Sequence, residues 1–94
     1  MTLHTMDISQ DVFDAINNGI KAFHLCKDKK FRIGDTVRFV CVDEHGDVVQ
    51  IPDYKSNKNV DLRSMVAIRY IEYPEDMDEG LIPDKYCIIG FTRM

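Results

Sequence analysis

After Gly19 the apolar residues of this chain change their spacing from every third or fourth position to every second. That switch is the strongest constraint on the fold. A single short helix must pack against strands that make up nearly all the rest. The stretch Ser9–Asn18, SQDVFDAINN, reads as the helix. Ser9 is a good N-cap, Asp11 complements the dipole in the first turn, and Val12, Phe13 and Ile16 form one apolar face. Gly19 follows where a left-handed residue ends a helix. Leu3 to Ile8 before it suits a short first strand.

Lys21 to Lys27 alternates, and a strand here is expected to send Phe23 and Leu25 into the core. Lys27 to Lys30 is a charged turn. Phe31 and Ile33 are expected to plug the interior, ahead of an inner strand, TVRFVCV, over 36–42. Glu44–Asp47 reads as a hairpin turn with Gly46 at its positive-φ position, and Val48 to Ile51 returns as a strand. Pro52 to Asn59 reads as a polar loop. A long strand is expected within Val60 to Tyr73, with Val66, Ile68 and Tyr70 on one face, and Tyr86 to Met94 closes the chain as a strand. Ninety-four residues leave room for one core, so residues 1–94 are expected to form a single α+β domain with a small closed or nearly closed sheet.

Charge is unevenly spread. The net value is −4, yet Gly19 to Arg38 holds six bases against two acids, a local +4. The stretch 71–84 carries six acids and no base. One basic patch on an acidic chain can hold a polyanion weakly and in a salt-sensitive way. Lys27, Lys29, Lys30 and Arg32 are therefore candidate phosphate contacts, the plain alternative being a solvated turn. The acidic stretch is either a solvated loop or a surface for a protein partner, and it lacks the ligand spacing of a calcium loop.

Cys26, Cys41 and Cys87 are odd in number and widely spaced, which argues against a disulfide framework and for a reducing compartment. No cysteine or histidine spacing suggests zinc, so no metal or other cofactor is expected. No apolar run is long enough to span a membrane, and MTLHTMDIS does not read as a secretory leader. A cytoplasmic monomer is the expectation.

A helix ending in Gly19, then Gly19-Ile20-Lys21, a charged turn and Phe31-Arg32-Ile33-Gly34-Asp35, resembles the ASCH superfamily, and within it the small bacterial and phage branch. The likeness continues through SMVAIRYIEY and YCIIGFTRM. It implies a PUA-like small β-barrel of about five to six strands with one N-terminal helix, and a role with RNA or modified nucleosides. Relatives that hydrolyse acetylated cytidine use the motif lysine, a threonine three residues on and a glutamate from a later strand. Here Lys21 matches the lysine, His24 stands at the threonine position, and Glu72, then Glu75, is the best candidate for the carboxylate. Ala22 and Cys26 replace the threonine and arginine usual on that strand.

A threonine nucleophile needs its hydroxyl, and a carbonyl or phosphate clamp needs a planar fork; this chain keeps neither. The expectation is thus a domain that binds RNA or single-stranded nucleic acid without catalysis. Lys21 and His24 would line its pocket, and Lys27, Lys29, Lys30 and Arg32 would meet the backbone. Two rivals remain open. One is a nucleoside amidohydrolase using Lys21, His24 and Glu72, with Cys26 as a further thiol. The other is a small accessory protein, of phage type, that binds a host protein through 71–84 or the loop 52–59.

Overall fold

The structure, a computed structural model, describes residues 1–73 and 85–94. Its elements run β1 (Leu3–Ile8), α1 (Gln10–Asn17), β2 (Phe23–Lys27), β3 (Thr36–Cys41), β4 (Gln50–Asp53), β5 (Lys58–Asp61), β6 (Arg63–Glu72) and β7 (Tyr86–Arg93). Five strands form one sheet in the order β1-β3-β6-β7-β2, curled into a half-barrel. β1 runs parallel to β3 and the other pairs are antiparallel. The molecule is thus mostly β with one short helix.

The helix forms where its caps stand. The Ser9 hydroxyl accepts from the Val12 amide at 3.4 Å, and Gly19 takes a φ of +73° just beyond the end. Phe13 and Ile16 point from α1 onto the sheet. There they meet Met6, Ile8, Val37, Phe39, Cys41, Val66, Ile68, Cys87, Ile89 and Phe91, which together are the core. All the strand members of this set lie on one face, as the period of two requires.

The sheet, expected closed or nearly closed, curls into a half-barrel with β1 and β2 as its edges. The segment between β2 and β3 spans from one edge towards the other. Phe31 is its anchor, buried in the core and edge-on to the His4 ring at 4.7 Å. Ile33, expected inside with Phe31, is 67% exposed. The segment is not a strand, so an i, i+2 pair need not share a face.

β2 is also turned over relative to expectation. Phe23 and Leu25 point outward, and His24 and Cys26 point inward. Alternation defines two faces but not which is buried; the partner's register decides. Here His24 stands opposite Ile89 and Cys26 opposite Cys87, and both partners are fully buried.

The polar stretch 52–59 is not a plain loop. β4 and β5 pair through it as a separate two-stranded hairpin, with the Asp53 carboxylate accepting from the Lys55 amide and the Ser56 hydroxyl at the turn. A two-stranded ribbon has only edges, so Pro52 costs no shared ladder. The long strand expected within Val60 to Tyr73 is β6, and Leu62 separates it from β5. The Leu62 amide donates to Val49 and its carbonyl accepts from Cys41, while its side chain packs on the core.

Candidate nucleic-acid interface

The basic turn is a built structure. Lys27, Lys29, Lys30 and Arg32 are all exposed, while Phe31 between them is sunk into the core. The Asp28 carboxylate accepts from the Lys30 amide at 2.8 Å, and Lys30 takes the left-handed φ of +59° that this tight turn demands. The Asp28 amide donates to the Lys85 carbonyl at 2.8 Å, and Lys29 Nζ donates to the Thr5 carbonyl at 3.2 Å. The buried Asp35 carboxylate holds the far end. It accepts from the amides of Thr2 at 3.1 Å and Arg32 at 3.0 Å, and lies 2.9 Å from His4 Nε2. These partners, His4 foremost and then Thr2, bring the Asp35 carboxyl down to about 2. Four cations therefore sit on a loop whose backbone is tied at both ends. Such a loop loses little further freedom on meeting a ligand.

Lys21 lies half-buried at the approach to β2, its amide donating to the Ala15 carbonyl at 3.0 Å. Its Nζ stands 5.9 Å from the centroid of the Phe23 ring. His24 faces the interior and meets the Phe39 ring edge-on at 5.6 Å; Phe39 in turn stacks obliquely on Phe91 at 5.4 Å. His24 Nδ1 is buried with no hydrogen-bond partner. Burial, and then the nearby Lys21 charge, lowers the His24 pKa, which keeps the ring neutral at neutral pH. Cys26 faces Cys87 across the strands, and burial pushes both thiols up, Cys87 to about 12. Neither is primed as a thiolate nucleophile.

The residues named for catalysis are not gathered. Glu72 pairs with Ile88 on the outer face of the sheet, where the Tyr70 hydroxyl donates to its carboxylate. His24 is on the inner face. Glu75 and the acidic residues from 74 to 84 lie outside the described residues.

Two features were not anticipated. A cleft of about 330 Å³ at the start of α1 is lined by Asp7, Asp11, Asp43 and Glu44 among others, a surface that repels phosphate. The second is on the outer face of β6, β7 and β2. A β-bulge between Ile68 and Tyr70 shifts the pairing, so Tyr70 turns outward and stands opposite Gly90. Gly90 is in turn opposite Phe23. A bulge leaves little local trace in a sequence, which is why Tyr70 reads as an inward residue by alternation alone.

Among the described residues no group of histidine, cysteine, aspartate or glutamate is arranged to hold a metal, and no helix is long and apolar enough to cross a membrane. The model of one protein family, described as "Domain of unknown function (DUF3850)", matches residues 3–91. No curated protein matches the chain.

Proposed function

We propose that this chain, which belongs to the DUF3850 family, is a nucleic-acid-binding domain that works without catalysis. Its ligand in this reading is single-stranded RNA or DNA, held by the phosphate backbone. The observation that carries the proposal is the tethered turn. Lys27, Lys29, Lys30 and Arg32 are exposed together on a loop fixed by Phe31, Asp28 and Asp35. Cations held this way can position a polyanion without reading its sequence. We read the half-barrel as a PUA-like fold of the ASCH type. The helix ending at Gly19, the strand after Lys21 and the Phe31-to-Asp35 segment support that reading. Three free thiols fit a reducing, cytoplasmic setting.

Catalysis is left out for a geometric reason. Ala22 offers no hydroxyl, and His24 and Glu72 occupy opposite faces of the sheet. The test is fluorescence anisotropy with labelled single-stranded RNA at low and moderate salt, with Lys27→Glu, Lys29→Glu and Lys30→Glu combined in one variant. Binding by the wild type that the variant loses supports the turn as the contact. Equal binding by both removes the turn from the reading. No binding by either at low salt, where charge counts most, ends it.

A further inference from the structure

The outer face of β6, β7 and β2 carries large apolar side chains where a solvated sheet needs polar ones. Phe23 is 60% exposed, Tyr70 54% and Leu25 46%. Scattered exposed apolar residues are ordinary, but Phe23 and Leu25 on β2 and Tyr70 on β6 face the same side across the intervening strand β7. The register puts Tyr70, Gly90 and Phe23 in one row across the sheet. Two strand spacings, about 10 Å, separate the two aromatic positions. Gly90 leaves the middle of the row without a side chain. A Cβ there would stand 3.2 Å from Tyr70 Cβ and 3.5 Å from Tyr70 Cδ1, so the tyrosine leans over the bare glycine backbone. The Tyr70 hydroxyl, donating to the Glu72 carboxylate, fixes the far end of the ring.

Among the described residues, the charges around this row are mostly positive. Lys21 Nζ stands over the Phe23 ring. Lys27 shares the outward phase of Phe23 and Leu25 on β2. Arg69, in the bulge, donates from Nε to the hydroxyl of Thr92, which is itself on the outer face. Glu72, a carboxylate on this face, accepts from the Tyr70 hydroxyl. An apolar protein partner would have to desolvate the three cations without repayment. A single nucleic-acid strand suits both halves of the surface: its bases stack on exposed rings and its phosphates meet the cations. Duplexes hide their base faces and gain only the second half.

We infer that the outer face of β6, β7 and β2 is a stacking platform for one strand of nucleic acid, with Phe23 and Tyr70 as its rings and Lys21, Lys27 and Arg69 as its backbone contacts. The inference rests on the nucleic-acid reading above and extends it. Lys27 joins the two surfaces, since it ends β2 and begins the basic turn.

The test compares three labelled strands of about twelve nucleotides, oligo-uridine, oligo-thymidine and an abasic sugar-phosphate strand, by anisotropy at low salt. The wild type is expected to bind the base-bearing strands about tenfold or more tighter than the abasic one. Phe23→Ala and Tyr70→Ala should each weaken base-bearing strands by about 5-fold to 150-fold and leave the abasic strand unaffected. Phe23→Trp, which keeps a ring, should bind at least as well as wild type. The substituted positions are exposed, and circular dichroism checks that each variant is folded. Equal affinity for base-bearing and abasic strands overturns the platform while leaving the basic turn as a contact. Alanine variants that bind like wild type also overturn it. Absence of all binding ends the platform and the proposed function together. Sedimentation gives the remaining outcome: if the wild type self-associates and Phe23→Ala makes it monomeric, a second copy covers this face and the platform is wrong.

Discussion

His4 Nε2 stands 2.9 Å from the buried Asp35 carboxylate, and the pair ties the start of β1 to the end of the basic turn. The carboxylate also accepts from the amides of Thr2 and Arg32. Its pKa is depressed from the ordinary 3.8 to about 2, so folding favours the charged form. The stabilisation is complete above 3.8 and disappears as pH falls through about 2. Asp35→Ala should therefore unfold at a clearly lower temperature than wild type at neutral pH. The gap should narrow steadily as pH drops from 3.8 towards 2. A gap that stays constant over that range would mean that the carboxylate's charge does not hold the turn.

Cys26 and Cys87 face each other across β2 and β7, and both thiols are shifted upward by burial. Cys41 is fully buried and shifted the same way. The thiolate is the reactive form, so the native protein should react slowly with Ellman's reagent at mildly alkaline pH. Cys26, which is half-buried, should go first. All three thiols should react at once after denaturation. Rapid reaction of Cys87 in the native state would contradict its place in the core.

Much of the fold is legible because local chemistry and tertiary packing agree. Ser9 caps, Gly19 terminates, and Phe31, Val37, Phe39, Ile68 and Ile89 are buried as their pattern demands. The failures occur where the deciding partner is remote. Phe23–Lys27 read alone points the wrong way, since Phe23 and Leu25 are more apolar than His24 and Cys26; the pairing with Cys87 and Ile89 decides which face is inward. The basic turn of the candidate site is readable from charge alone. The row Tyr70–Gly90–Phe23 is not, because it depends on a bulge and on two registers between strands distant in sequence.

His24 sits against the Phe39 ring with Nδ1 buried, and its pKa is lowered first by burial and then by Lys21. Its imidazole should titrate below 6.5 when followed by NMR. Lys21→Ala should raise the midpoint only in part, because burial is the larger cause. Phe39→Ala, which opens the core beside the ring, should raise it as well and cost about 3–5 kcal/mol of stability. The sign for the fold follows. A base with a lowered folded pKa is protonated first in the unfolded chain, so the His24 contribution falls as pH drops below 6.5. A midpoint at or above 6.5 would place the ring in water and remove it from the interior.

Salt separates the two surfaces of the interface. Four turn cations together with Lys21 and Arg69 of the outer face make six contacts on a single strand and give a slope of log K against log salt of about −4, so affinity falls about 300-fold between ~50 mM and ~200 mM. Lys29 already donates to the Thr5 carbonyl. If it keeps that bond in the complex, the other contacts act without it and the slope is shallower by about 0.7. Reversing Lys27, Lys29 and Lys30 leaves Arg32 on the turn and Lys21 and Arg69 on the outer face, and should make the slope shallower by about 2 or more. Phe23→Ala removes stacking and no charge, so it should lower affinity at every salt concentration and leave the slope where it was. A wild-type slope near zero would mean that the turn releases no counterions and holds no phosphate. A slope that Phe23→Ala flattens would mean that the ring serves to place Lys21, 5.9 Å away, rather than to stack on a base.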